Sequence, residues 1–106
     1  MEKEAFHIAA YDGQQIVGVG RLHVEPGHAA RVRYMAVREG YRRRGIGSSI
    51  LRQLEQYARD HRVQICWLYA RETAVGFYAK NGYTIQGEGK SELSSVHHER
   101  MQKHLA

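Results

Sequence analysis

The sequence predicts an α+β domain: a mixed α/β fold around a central mixed β-sheet, with element order β-β-β-α-β-α-β-β. Three observations carry this. Asp12-Gly13 stands between two apolar runs, a hairpin signal because both residues tolerate positive φ. After Val37 the apolar spacing switches to a helical period. The apolar run Val63 to Ala70 then sits between two helical patterns, and a strand-helix-strand unit implies a parallel pair with a right-handed crossover.

Phe6 to Tyr11 is the first strand and Ile16 to Val24 the second, with Glu25-Pro26-Gly27 as the next turn. Arg31 to Val37 is the third strand. Strict alternation places Val32, Tyr34 and Ala36 on one face, and Arg31, Arg33, Met35 and Val37 on the other. Ile46, Ile50, Leu51, Leu54, Tyr57 and Ala58 mark an amphipathic helix from Ile46 to Asp60. The unbroken apolar middle of the strand Val63 to Ala70 predicts burial on both faces. Thr73 to Lys80 reads as a short helix, with Thr73 as its N-cap and Asn81-Gly82 as its stop. Tyr83 to Gly87 and Val96 to His104 read as closing strands around a polar loop. Both helices should pack against the sheet.

A chain of 106 residues, 42% hydrophobic and 25% charged, fits one ordinary globular domain spanning 1–106. Its small size leaves a thin stability margin, so self-association as a homodimer is expected. The formal charge of +5 suits an anionic partner. Four of the sixteen basic residues, Arg38 and Arg42 to Arg44, fall within one short stretch beside glycines. That favours a compact phosphate group over a long polyanion, so no nucleic-acid partner is expected. Cys66 is the single cysteine, which excludes an internal disulfide; its apolar surroundings make it a buried hydrophobe. The charged start Met1-Glu2-Lys3-Glu4 and the lack of a long apolar run predict no signal peptide and no membrane partner, and a cytoplasmic location. No metal site is expected.

Arg42-Arg43-Arg44-Gly45-Ile46-Gly47-Ser48 lies where a strand leads into the long helix. A helix N-terminus exposes unpaired N–H groups and the positive end of its dipole. Glycines admit an anion close to the backbone, and arginines add charged, forked donors. Such a turn is built to cradle a pyrophosphate. A solvated basic turn fits the same residues equally well. The P-loop pattern is absent, and a dinucleotide fingerprint would need glycine where Ile50 stands.

Arg42-x-x-Gly45-x-Gly47, preceded by Met35-Ala36-Val37, resembles the Gln/Arg-x-x-Gly-x-Gly/Ala signature of the GNAT superfamily of acyl-CoA N-acyltransferases. Ala74-Val75-Gly76-Phe77-Tyr78-Ala79-Lys80-Asn81-Gly82-Tyr83 is similar to that family's second signature. Both stand in the family's order on matching elements, and the resemblance covers roughly residues 5 to 105. His98-Glu99-Arg100-Met101 is similar, more weakly, to the closing strand of small bacterial ElaA-like members.

The resemblance implies an N-acetyltransferase that moves an acetyl group from acetyl-CoA to a primary amine on a small molecule or a protein. It implies a pantetheine arm paired with Met35, Ala36 and Val37, and a pyrophosphate on backbone N–H groups from Arg42, Arg43 and Arg44 through Gly45, Ile46, Gly47 and Ser48. It makes Tyr78 the general acid; taken by itself, Tyr78 reads as a core aromatic. A phenol with a pKa of about 10 stays protonated at neutral pH and can donate. Candidates for the base are His23, Glu25, His28, His97 and His98. Arg31 and Arg33 read as surface charge, or as binders of an acidic acceptor. Arg71 stands where the family usually has asparagine; it reaches a CoA phosphate or faces solvent. The first strand here corresponds to the family's second, which implies an acceptor groove that is open, completed by a second subunit, or lost to truncation. The alternative function is a non-catalytic acyl-CoA-binding module, or a fragment of a larger acyltransferase.

Overall fold

The computed structural model describes residues 5–87 and 98–105. Its elements are β1 (Ala5–Asp12), β2 (Gln15–Glu25), β3 (Ala29–Val37), α1 (Ile46–Asp60), β4 (Ile65–Arg71), α2 (Val75–Lys80), β5 (Thr84–Ile85) and β6 (His98–His104). The strands form one sheet in the order β1-β2-β3-β4-β6-β5. β3 and β4 run parallel and every other neighbouring pair antiparallel, so the sheet is mixed, as expected.

Gly13, at φ 63°, turns β1 into β2. α1 has the bounds the apolar spacing predicts. Its Leu51, Leu54 and Ala58 are fully buried against Leu22, Ala30, Cys66, Leu68 and Met101. Tyr78 of α2 joins the same cluster, so both helices pack on one face of the sheet. α1 lies very close to β2. A Cβ on Gly20 would sit 2.6 Å from Cγ2 of Ile50, and one on Gly18 would sit 2.9 Å from its Cδ1. The two glycines, two residues apart on one strand face, are what allow that approach.

Three expectations are corrected. Val32 and Tyr34 do not share a face. The β2–β3 register shifts between Arg21 and Leu22, which pair with Tyr34 and Val32. The extra residue is a β-bulge, and it reverses the alternation beyond it. Val32 is therefore buried, Tyr34 is 57% exposed, and Met35 packs on the core. Thr73 does not cap the second helix. The chain enters it through a 3-10 turn, Glu72–Ala74, and Ala74 holds the N-cap place without a side-chain bond. The first of the two closing strands is shorter, because β5 pairs with β6 over only Thr84–Ile85. Val96, His97 and the loop Glu88 to Ser95 lie outside the described residues.

The stop after α2 forms as expected. Gly82 takes φ 98°, and Tyr83 N–H bonds back to Tyr78 O at 3.0 Å. On β4, Cys66, Leu68 and Ala70 are buried beneath the helices, and Ile65, Trp67 and Tyr69 are half-buried on the other face. There the cover is guanidinium: Arg31 and Arg100 lie 4.7 Å and 4.0 Å from the Trp67 ring centroid. Among the described residues, one carboxyl side chain goes into the core. Glu55 of α1 is 2% exposed, and accepts bonds from Tyr83 Oη (2.8 Å) and Lys103 Nζ (3.0 Å). No helix among the described residues is long and apolar enough to cross a membrane.

Candidate functional site

β3 and β4 pair only over Ala29–Arg31 and Ile65–Trp67. Beyond that both continue, to Val37 and Arg71, without pairing. The bulge at Arg33 and Tyr34 sits where they part. The edge of β3 from Val32 onward is thus withdrawn from β4, and its main-chain groups face a wedge.

Below the wedge lies the arginine-glycine turn. Arg43 at φ 67° and Gly45 at φ 79° are left-handed and flank Arg44. Alternating hand of this kind folds a backbone into a concavity lined by N–H groups. α1 starts at Ile46 without a side-chain cap, and its first bond, Ser49 N to Gly45 O, leaves the N–H groups of Ile46, Gly47 and Ser48 outside the helical ladder. Nothing lies within 4 Å of where a Cβ on Gly45 would be. Gly47 serves packing instead, since a Cβ there would lie 3.2 Å from the Phe77 ring. Its bare backbone lets α2 pack against the head of α1. Asn81 joins the same two helices through Ser48 Oγ at 3.2 Å and Phe77 O at 2.9 Å.

Wedge and turn form one cavity of about 1130 Å³. Met35, Ala36, Val37, Arg42, Arg43, Gly45, Gly47, Ser48, Arg71 and Tyr78 all line it. Arg44 and the Ile46 side chain do not. Arg44 stacks on Tyr41 at 5.0 Å, and Ile46 packs toward the core. Arg42 also bonds Val37 O through Nε at 3.2 Å, tying the turn to the strand end. Tyr41, Thr73 and Lys80 line the cavity too, and sequence reasoning missed them. No spacing from Tyr78 marked Lys80, since residues two apart on a helix do not share a face.

Tyr78 is 8% exposed, with its ring edge-on to Phe77 and Tyr83. Burial, and then Cys66, push its phenol up to about 12, so it holds its proton throughout the neutral range. No group among the described residues hydrogen-bonds its hydroxyl. The candidate bases scatter. His28 bonds Arg62 O at 3.2 Å, at the start of β3 and away from the cleft. Glu25 accepts the Trp67 indole N–H at 2.9 Å. His23 is in register with Arg31, and His98 with Arg71 at the cleft end of β4.

A model of the acetyltransferase (GNAT) domain matches residues 2–85. The chain is 33% identical over 103 residues to the uncharacterized N-acetyltransferase YjcF of Bacillus subtilis strain 168, covering 97% of this chain and 73% of that protein. Among solved structures it resembles the PaiA N-acetyltransferase of Thermoplasma acidophilum in complex with coenzyme A (TM-score 0.82, 18% identity, 94% of this chain). It also resembles an aminoglycoside 6'-N-acetyltransferase complexed with coenzyme A (TM-score 0.87, 18% identity, 97% of this chain). The chain spans 60% of the Thermoplasma protein's length and 74% of the aminoglycoside enzyme's.

Proposed function

The chain belongs to the GNAT acetyltransferase family, and we propose that it is an N-acetyltransferase that moves an acetyl group from acetyl-CoA to a primary amine by direct attack. The observation that carries this is the parting of β3 and β4 directly above an N–H-lined, arginine-bearing turn, with Tyr78 on the adjoining wall. The open edge at Met35, Ala36 and Val37 offers hydrogen bonds to an extended amide arm. The turn from Arg42 to Ser48 offers N–H groups and guanidinium charge to a pyrophosphate, with open space at Gly45 for its oxygens. Arg71 and Lys80, both exposed on the cavity wall, add cationic contacts for a CoA phosphate.

In the chemical step the neutral amine nitrogen bonds to the acyl carbon. A main-chain N–H near Val37 stabilises the oxyanion. The C–S bond breaks and the thiolate takes the Tyr78 proton, while the amine's surplus proton leaves through water or a base. His98, in register with Arg71, is the described base candidate nearest the cleft.

Calorimetric titration with CoA, followed by CoA release from acetyl-CoA with a panel of amines, tests this. Saturable binding and amine-dependent release are expected. Binding without turnover of any amine would replace this function with that of a non-catalytic acyl-CoA-binding module.

A further inference from the structure

We propose that the acceptor is a small amine that itself carries an anionic group, a carboxylate or a phosphate, held by Arg21 and Arg33 on the open face of the sheet. This deepens the acyl-transfer function and rests on it.

The face opposite the helices carries a second cavity, of about 580 Å³, within the range of small-molecule sites. His7, Arg21 and Tyr34 stand abreast across β1, β2 and β3. The bulge adds the fourth side chain. With Val32 turned to the core, Arg33 points out and Tyr34 would ordinarily turn in. The extra residue keeps Tyr34 out as well, so both stand opposite Arg21, and both line the cavity.

The charge there is one-sided. Arg21, Arg33 and His7 line the cavity and, among the described residues, no carboxylate does. Neither Arg21 nor Arg33 has a carboxylate partner among the described residues. Like charges side by side on a sheet face cost stability. Arg31, the next outward residue on β3, adds to the excess. Burial and then the charge of Arg33 depress its pKa, Arg100 contributes in the same direction, and its buried Nε has no hydrogen-bond partner among the described residues. The nearby carboxylate Glu25 is engaged by the Trp67 indole. An anion supplied by a ligand would complete this set of forked donors.

The place suits the chemistry. The cavity ends at Tyr34, and the donor cleft begins at Met35 and Ala36, the next residues of the same strand. Two residues of strand span roughly 7 Å. A molecule anchored by its anion at Arg21 and Arg33 therefore presents an amine a few atoms away to the wedge.

The test compares matched acceptors, phosphoethanolamine against ethanolamine and γ-aminobutyrate against butylamine, by CoA release from the full chain. The anionic member of at least one pair should show kcat/KM about tenfold higher, the size of one charge-assisted contact. The pair that shows it separates phosphate from carboxylate. Arg21→Gln and Arg33→Gln should each cut the preference by about tenfold with the CoA Kd unchanged, and Arg33→Lys should keep part of it. Equal turnover of both members, preference for the neutral amine, or a preference that survives both glutamine variants would overturn the proposal. The wild-type preference needs no variant to fold. If no amine is turned over, the acyl-transfer function fails instead, and calorimetry with phosphoethanolamine and γ-aminobutyrate on the CoA-loaded protein decides the anion site. Binding that Arg33→Gln abolishes sustains it; absence of binding to the wild type overturns it.

Discussion

Replacing Tyr78 by phenylalanine removes one oxygen and leaves the ring among Phe77, Tyr83 and the core. No hydrogen bond from a described residue is lost, so the melting temperature should move by only a degree or two, within the ~0.5 kcal/mol of a substitution that breaks no contact. CoA affinity should stay, since the turn and the β3 edge are untouched. The chemical step should suffer. Loss of a positioned proton donor lowers kcat by about 10²–10⁴, or about 3–5 kcal/mol of barrier. The phenol, raised to about 12, keeps its proton across the neutral and mildly alkaline range, so its ionisation should add no falling limb to the rate profile below pH ~10. Thiol detection of CoA release, calorimetry and thermal melting measure the three quantities. Unchanged kcat with intact CoA binding would make Tyr78 a packing ring only. A large fall in melting temperature alongside the fall in kcat would make the loss structural.

Gly20→Ala should cost about 1–3 kcal/mol by pushing α1 off the sheet, because the new methyl would meet Ile50 Cγ2 at 2.6 Å. Adding Ile50→Ala should then cost less than the sum of the two single changes, and additive melts would refute the contact. Lys103→Met should cost about 2–3 kcal/mol in urea unfolding by stranding buried Glu55, with Lys103's 24% exposure moderating the loss. A neutral result would mean that Tyr83 alone satisfies the carboxylate. Cys66 rises from 9.0 to about 11 on folding and Tyr78 from 10.0 to about 12, both by burial. Their contribution is therefore full below pH ~9 and is lost as pH climbs through these raised values, because the unfolded chain gives up those protons first. Urea midpoints should fall above pH ~9, and Cys66→Ala should lessen the fall; a flat profile up to pH 11 would contradict the burial of both groups.

Elements whose signal is contiguous in the chain were legible in the sequence. α1 declares itself through six apolar residues at helical spacing, and the first hairpin through Asp12-Gly13. The turn and the Phe77-Tyr78 helix were legible because each is a single stretch of chain. What escaped depends on partners distant in sequence. One extra residue at Arg33 reverses the faces of β3, and alternation cannot reveal it where Arg33 and Tyr34 both tolerate solvent. Gly18 and Gly20 answer to Ile50, and Gly47 to Phe77, so a glycine that reads as room for an anion serves as room for a ring. Glu55 is a carboxylate among the buried positions Leu51, Leu54 and Ala58 of its helix, and only Tyr83 and Lys103, distant in sequence, show what satisfies it there. The acceptor side is the least legible part, since it is assembled from single residues of β1, β2 and β3.

The central claim is that one cofactor spans the open edge of β3 and the N–H-lined turn beneath it. Titrating CoA into 15N-labelled protein and following each backbone amide tests it directly. The largest shifts should fall on Ala36 and Val37 together with Arg44 to Ser48, while Gly13 and Gln14 in the β1–β2 turn stay still. Shifts centred on the open face at His7 and Arg21, or at the turn without the strand edge, would contradict it.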